Sequence, residues 1–260
     1  MRQQLLELYG YRGLLYMIVW RDIKVRYKQS VMGVLWAVLM PMFIVSAGIM
    51  VKYVFAMISH EPLSIDDIVV VSVKSIPWAF LVASIRFSCQ SLLGNPNLVA
   101  KVYFPKEIFP VAAVASQLFD FAVASAVLTV LLAFARTGFS LHLLWMPALL
   151  AMLILLAIGI GLLVSAGSLF FRDVKYLVEV FLTFAIFFTP VFYDVTMFGQ
   201  RAYLLLLNPA APILEGFSSI IRHQNPNFAW LTYSFVFTAS TVLLSYVVFK
   251  KAEPSFAESI

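Results

Sequence analysis

Six apolar runs, each long enough to cross a lipid bilayer, constrain this chain more than any other feature. They cover residues 31–55, 68–93, 108–135, 143–171, 176–193 and 228–249. A helix needs roughly 20 apolar residues to cross a hydrocarbon core of about 30 Å. The composition agrees, because 62% of the residues are hydrophobic and 12% are charged, against about 45–50% and about 25% in soluble proteins. The sequence therefore predicts an all-α polytopic membrane protein with six transmembrane helices in a single domain over residues 1–260.

The distribution of lysine and arginine predicts the orientation. Twelve of the 18 lie on the side of the N-terminus, three lie on the opposite side, and three lie inside the runs. Cytoplasmic loops carry an excess of these residues, so we expect both termini in the cytoplasm. Residues 1–30 then form a cytoplasmic interface segment, residues 31–249 the membrane domain, and residues 250–260 a cytoplasmic tail.

Residues 3–28 interleave basic and apolar side chains, a pattern typical of amphipathic helices in the membrane interface. The apolar stretch 14–20 is too short to span, and charge follows it instead of a small-residue cleavage site. We therefore expect no signal peptide. Gly10 and Gly13 are candidate breaks in this segment, and Ser30 marks the predicted point at which the chain enters lipid.

The connection between the last two runs contains two more apolar stretches, residues 203–207 and 213–221, which are too short to span. Asn208, Pro209 and Pro212 separate them, and proline interrupts a helix. These features favour a re-entrant helical hairpin that enters the outer leaflet, where protein or water satisfies the broken backbone. An amphipathic hairpin lying flat on the outer surface is the alternative.

Ionisable residues inside the runs are few. Lys52 and Lys74 lie near the outer ends of their predicted helices, from which they can extend to water as anchors. Arg86 and Asp120 differ in predicted depth by about 7 Å, which an arginine side chain can bridge. We expect them to form an ion pair that holds the second and third helices together, because an unpaired charge in a membrane is costly.

Motifs for catalysis or metal binding do not occur in the sequence. The histidines, His60, His142 and His223, fall in separate external loops without an H-E-x-x-H or G-x-S-x-G pattern. No G-x-x-x-x-G-K-[ST] loop is present, so ATP would have to bind to another chain. We expect no enzymatic activity and no cofactor or metal in this chain.

Aromatic side chains form two patterns at helical spacing. One is a stripe that ends in a tyrosine, and the other pairs a tryptophan with a phenylalanine on the first run. The residues are Phe181, Phe184, Phe188, Phe192 and Tyr193, and Trp36 and Phe43. Lipid-facing or core packing is one interpretation. The other is a channel whose aromatic side chains contact the sugar rings of a moving polymer.

Several stretches in a fixed order carry a family resemblance. They are RDIKVRYKQSVMGVLW (21–36), Pro41, IPW (76–78), NPNLVAKVYFPKEIFP (95–110), FFRDV (170–174), TPVFY (189–193) and LNP (207–209). Over essentially its whole length the chain resembles the permease subunit of ABC-2 type exporters of polysaccharides and polyol phosphates, which move O-antigen, capsule or teichoic acid chains. Two places depart from that pattern: Lys74-Ser75 precede the Pro-Trp pair where small apolar residues are expected, and Asp194 follows TPVFY where proline is usual.

The resemblance implies a homodimer in the bacterial inner membrane, bound to two ATPase subunits that hold ATP and Mg²⁺. It further implies that membrane lipids and a lipid-linked polysaccharide, but no nucleic acid, are partners. The segment that would couple to the ATPase contains Asn95, Asn97, Lys101, Tyr103, Pro105 and Lys106, with Arg172 and Asp173 in a second contact.

The same resemblance places a basic group at the cytoplasmic entrance, where it would meet the pyrophosphate of the substrate. This group is Arg21, Lys24, Arg26 and Lys28, for which cytoplasmic anchoring is the alternative role. Asn208, Pro209 and Pro212 would form an outer gate. An ABC-2 exporter of small hydrophobic compounds and a membrane enzyme acting on lipid-linked sugars are the alternative functions.

Overall fold

A computed structural model describes residues 10–28, 31–60, 62–134, 138 and 140–258. Within these residues the chain forms α-helices and short 3-10 turns, with no strand. The α-helices are α1 (Arg12–Lys28), α2 (Leu35–Ser59), α3 (Ile65–Ser91), α4 (Pro96–Lys101), α5 (Ile108–Phe134), α6 (Met146–Phe170), α7 (Asp173–Ala185), α8 (Ala202–Leu206), α9 (Ala210–Ile221) and α10 (Phe228–Ala252). The all-helical prediction is confirmed for this part of the chain.

Five helical segments of the described chain are long and apolar enough to cross a membrane. They are Leu35–Ile58, Ile65–Ser91, Ile108–Ala133, Leu141–Phe170 and Phe228–Phe256. A polytopic membrane protein is therefore confirmed. The predicted fifth crossing, residues 176–193, corresponds instead to α7, which has 13 residues, and a 3-10 turn at Ile186–Phe188. The helix ends there because Thr189 precedes a proline, which disfavours helical backbone in the preceding residue.

Helix α6 lies at the centre of the bundle and packs against α3, α5, α9 and α10. Two glycines allow the close approaches. A Cβ on Gly161 would lie 2.8 Å from the Ser88 hydroxyl of α3, and a Cβ on Gly159 would lie 3.1 Å from Thr241 of α10. The Ser168 hydroxyl also donates a hydrogen bond of 2.5 Å to the Cys89 carbonyl of α3. Small residues thus bring three long helices into backbone contact, as is common in membrane bundles.

Helix α1 runs along the N-terminal half of α5. Ile18 belongs to the buried cluster that includes Ile108 and Phe109 at the start of α5, whereas Arg26 bonds to Asp120, about three helical turns further along α5. The helix continues through Gly13, so the predicted break at that residue is wrong. Residues 3–9 and Ser30 lie outside the described residues.

The connection after α7 contains the two predicted short helical pieces. A 3-10 segment, Val195–Arg201, leads into α8, and α9 follows after Asn208-Pro209. Nine of the 12 residues of α9 are buried, from Ala210 to Ile220. This extensive burial against α3, α6 and α10 shows that α9 is part of the bundle.

Replacing Gly161 by alanine should destabilise the bundle, because the new methyl group would force α3 away from α6. We expect a loss of about 1–3 kcal/mol in the free energy of unfolding, as for other overpacked sites. Gly167→Ala is the matched control on the same helix, since its Cβ would meet Val174 at an ordinary 3.5 Å. Thermal unfolding in detergent micelles measures both, and an equal effect of the two changes would contradict the close α3–α6 approach.

Candidate functional site

A cavity of about 620 Å³ lies between α1, α2, α3, α5 and the end of α7. Most of its wall is apolar, and seven aromatic side chains contribute to it. They are Tyr27, Trp36, Phe43, Trp78, Phe80, Phe87 and Phe121. Trp36, Phe43 and Phe87 are also exposed, so the cavity opens onto the surface of the single chain.

The predicted channel-lining aromatics divide into two groups. Trp36 and Phe43 line the cavity. Phe181, Phe184 and Phe188 are exposed and are not among the residues of its wall, where α7 contributes Leu182 and Thr183 instead.

The last two residues of the predicted stripe have local packing roles. Phe192 packs against the main hydrophobic core. The Tyr193 hydroxyl donates a hydrogen bond of 2.9 Å to the Phe187 carbonyl.

The face of α3 that lines the cavity was missed from the sequence. Ala79, Ala83 and Phe87 recur at steps of four and share a face, and all three line the cavity. This spacing could have revealed the face, but a run that is apolar on every side gives no periodic contrast from which to choose it.

A polar cluster closes one end of the cavity, where α1 meets α5. The Arg26 guanidinium lies 2.5 Å from the Asp120 carboxylate and 4.4 Å from the ring centroid of Phe87. The Tyr27 hydroxyl also donates to Asp120, and burial together with this bond raises the pKa of Tyr27 to about 12. The predicted Arg86–Asp120 pair is therefore wrong, because α1 supplies the cation that neutralises Asp120.

Arg86 forms its ion pair with Glu179 of α7 at 2.9 Å. In the sequence, Glu179 lies only three residues inside the predicted fifth run, so it was expected near the end of that helix. Both members of the pair are more than a third exposed, so the contact is open to solvent or lipid headgroups. Glu179 was not predicted as the partner of Arg86, because Asp120 is the acid that lies at mid-membrane depth in the sequence pattern.

The other basic residues of α1 differ in their availability to a ligand. Arg21 bonds to Asp22 and, at 2.8 Å, to the Asn95 side chain, so it links α1 to the start of α4. Lys24 and Lys28 are exposed, and the Lys24 amine lies 5.4 Å from the ring of Trp20. Of the four predicted entrance residues, Arg26 is therefore set apart, because it faces Asp120 while the other three are exposed.

The predicted coupling segment presents some residues and buries others. Asn97, Lys101, Arg172 and Asp173 are exposed, and Tyr103 is 93% exposed. These side chains are available to a partner protein.

Pro105 and Lys106 are buried instead, so the structure does not present these two residues of the predicted coupling segment to a partner. The Lys106 amine donates to the Val102 and Leu98 carbonyls near the end of α4 and lies 4.3 Å from the Phe104 ring. Burial lowers the pKa of Lys106 below its ordinary value. Lys106 thus caps α4 from inside.

Six charged residues form an outer charge cluster at the opposite end from Arg26. They are Lys52, Asp67, Lys74, Asp194, Glu215 and Arg222. Lys52 is 5% exposed and lies 3.0 Å from both Asp67 and Asp194. Lys74 is fully buried, 2.6 Å from Glu215 and 3.5 Å from Asp194. The expectation that both lysines extend to water as anchors is therefore wrong, because acidic partners inside the protein hold them.

Asp194 lies at the centre of this cluster, with three cations within 3.5 Å of its carboxylate. Burial alone would raise the pKa of Asp194, but the charges of Lys74, Lys52 and Arg222 lower it below its ordinary value. Lys74 and Asp194 belong to the two places at which the sequence differs from the expected pattern, and the structure brings these two residues together.

The predicted gate residues form the helix break before α9. The Asn208 side chain donates to the Thr189 hydroxyl at 2.8 Å and accepts from the Ala210 amide at 3.1 Å. The Ser234 hydroxyl donates to the Pro209 carbonyl at 2.9 Å. Pro212 is buried inside α9. Side chains thus satisfy the polar groups at the break, as an interruption inside a membrane requires.

The described helices thus form a bundle of membrane-length segments beside an open aromatic cavity, with ion pairs at both ends, which is an arrangement that suits the membrane-embedded part of a transporter. In the described part of the chain, no group of three or more His, Cys, Asp or Glu residues could hold a metal ion. Residues 13–221 match the family described as ABC-2 type transporter. The chain therefore belongs to the ABC-2 type transporter family, and the resemblance predicted from the sequence is confirmed.

Curated relatives match nearly end to end. The chain is 25% identical to the O-antigen export system permease protein RfbA of Myxococcus xanthus over 98% of both proteins. It is 23% identical to the O-antigen export system permease protein RfbA of Klebsiella pneumoniae over 94% of both. These matches support its assignment as the membrane subunit of an ABC exporter.

A double-mutant cycle tests the Arg26–Asp120 contact. Arg26→Gln or Asp120→Asn alone should destabilise the bundle, because each leaves a partly buried charge unpaired, and the double variant should recover part of the loss. We expect a coupling energy of about 0.5–3 kcal/mol in the free energy of unfolding in micelles. The exposed Arg21–Asp22 pair on the same helix is the control, for which we expect about 0.5 kcal/mol or less. Equal coupling in the two cycles would argue against the buried cluster.

Proposed function

We propose that this chain is the channel-forming subunit of an ATP-driven exporter that moves a lipid-linked polysaccharide across the bacterial inner membrane. The observation that carries this proposal is the end-to-end similarity to two O-antigen export permeases. The aromatic cavity supports it, because aromatic rings offer sugar faces apolar contact without the directional hydrogen bonds that would hold a polymer in place.

In this proposal α7 also crosses the membrane, as the fifth crossing along the chain, which brings the total to six and leaves both termini in the cytoplasm. Residues 173–188 rise about 24 Å along a helix axis, less than a hydrocarbon core of about 30 Å. The chain after Thr189 and the buried helix α9 would complete the outer part of the crossing as a re-entrant segment. Polar partners at the Asn208-Pro209 break support this arrangement.

The substrate would enter beside α1 and pass through the cavity. Arg26 is neutralised by Asp120, so the exposed Lys24 and Lys28 are better placed than Arg26 to meet a pyrophosphate. Trp36, Phe43 and Phe87 would then contact sugar rings. The polar groups of Arg26, Gln117 and Asp120 satisfy one another at the inner end of the path.

Two copies of this chain would assemble with two ATPase subunits that supply ATP and Mg²⁺. Exposed apolar side chains on α2 and α7, such as Phe43 and Phe184, suit contact with lipid or with the second copy. Asn97, Lys101, Tyr103, Arg172 and Asp173 would contact the ATPase, whose closure on ATP would push α4 and shift α2 and α7.

Export of small hydrophobic compounds is the second candidate, because the cavity wall is mostly apolar. The two functions differ in the ligand that stimulates the partner ATPase. Stimulation by a lipid-linked glycan supports the first, and stimulation by apolar drugs without any glycan effect supports the second.

Reconstitution tests the proposal directly. We expect vesicles that contain this chain and the ATPase encoded with it to move lipid-linked glycan to the far leaflet only when ATP is hydrolysed. A glycan-specific lectin or enzyme outside the vesicles measures the product. Transport that ignores ATP and follows a proton gradient would reject the proposal.

Aromatic substitutions identify the path. Trp36→Ala and Phe87→Ala should slow glycan transport severalfold while leaving ATP hydrolysis nearly unchanged, because they remove sugar contacts without touching α4. The same measurement on Phe184→Ala with Phe188→Ala decides whether the α7 stripe joins the path. Phe235→Ala on the exposed face of α10 is the matched control. Unchanged transport in every variant would mean that the cavity does not carry the glycan.

A further inference from the structure

The cavity ends before the outer surface of the bundle. On the predicted topology, α2 and α7 run outward and α3 runs inward. The outermost residues of the cavity wall on these three helices are then Ile44, Ile186 and Ile76. Helices α2 and α3 extend beyond Ile44 and Ile76, and the chain after α7 continues beyond Ile186, so some other part of the protein must block the path on the outer side.

A close contact lies one helical turn beyond Ile44. A Cβ placed on Gly48 of α2 would lie 2.4 Å from a methyl group of Val71 and 2.6 Å from the ring of Phe192. Glycine at this position therefore lets α2 touch both α3 and the segment that follows α7. This contact is apolar, and small apolar contacts of this type separate without leaving a polar group unsatisfied.

Lys52 lies one further turn outward on the same face of α2. Its amine links α2 to Asp67 of α3 and to Asp194, two residues after Phe192. The Gly48 contact and the Lys52 contacts thus join the same three segments. Together these contacts cover the outer end of the cavity. The proposed mechanism must move the same three segments apart.

The number of partners shows which bond can break. If Lys52 and Asp194 separate, Lys52 keeps Asp67, and Asp194 keeps Lys74 and Arg222. No buried charge is then left without a partner, which is the costly outcome for an ion pair. Lys74, in contrast, is fully buried between Glu215 and Asp194 and holds α9 to α3.

We propose that Lys52 and Asp194 are positioning residues that hold the outer end of the path shut, and that their contact breaks when substrate passes. Lys74 and Glu215 keep α9 in place during this step. The inference rests on the proposed function, since it concerns the regulation of the same path. It adds a reason for the two departures from the family pattern: in this chain a buried lysine fixes the turn at Asp194.

Leakage through vesicles that contain the full chain, without ATP or glycan, tests the inference. The probe is carboxyfluorescein trapped inside, and its release is followed by fluorescence. The native chain should hold the dye. Lys52→Met should raise the release rate about tenfold or more, because loss of the contact shifts the population towards the open form.

Two matched variants separate charge from general damage. Lys52→Arg keeps a cation in place and should hold the dye as the native chain does. Lys251→Met, an exposed lysine at the inner end of α10, should have no effect. Asp194→Asn is a second way to remove the contact, should Lys52→Met fail to fold, and it should leak to a similar extent.

The outcomes distinguish the two proposals. Tight vesicles with both Lys52→Met and Asp194→Asn would overturn this inference, and so would equal leakage from Lys52→Arg and Lys52→Met. Neither result depends on the ATPase or the glycan. Failure of the native complex to move glycan would instead reject the proposed function, whatever the dye assay shows.

Discussion

Charges in an apolar surrounding need partners, and this requirement organises the bundle. Lys52, Lys74 and Asp120 all lie within membrane-length helices, and each meets an opposite charge at 2.5–3.0 Å. The partners come from different segments: Arg26 from α1 and Glu215 from α9. Because an unpaired charge in a membrane is so costly, each contact fixes the position of a segment that hydrophobic packing alone would leave free to slide. The pairs therefore locate α1 and α9, whereas the small residues of α6 set the distances between the long helices.

Much of the architecture could be predicted from the sequence, because long apolar runs have few possible structures in a bilayer. Five of the six predicted runs match long helices to within a few residues, and the two short pieces around Asn208-Pro209 were also recognised. The fifth run was predicted as one continuous helix although Thr189-Pro190 interrupts it. Hydropathy does not register such a break, because the residues on both sides of it are apolar.

Side-chain partners were less predictable, for a physical reason. A depth estimate places Arg86 and Asp120 close together along the membrane normal, but it does not say which face of a helix each occupies. Runs that are apolar all round carry no periodic signal for that face. The estimate also treated α1 as a helix in the interface, and so it omitted Arg26, the cation that reaches Asp120. Lys52 has one acid nearby in sequence, Asp67 at the start of α3, but Asp194 in the connection after α7 and Glu215 in α9 are far away in sequence.

The Arg26–Asp120 cluster and the outer charge cluster lie at opposite ends of the cavity and differ in how they are held. This difference affects which end of the cavity opens more easily. At its end of the cavity, Arg26 has several neutral partners besides Asp120, namely Gln117, Ser116 and the face of Phe87. Moving α1 away would therefore break many contacts at once. At the outer end the Lys52–Asp194 contact is one of several ion pairs, and each member keeps another partner when it opens. A bundle of this kind resists opening around α1 more than at α2 and the end of α7. If α4 lies in the cytoplasm and couples to the ATPase as proposed, force applied to it would be relieved at the opposite end of the cavity, which is the direction that export requires.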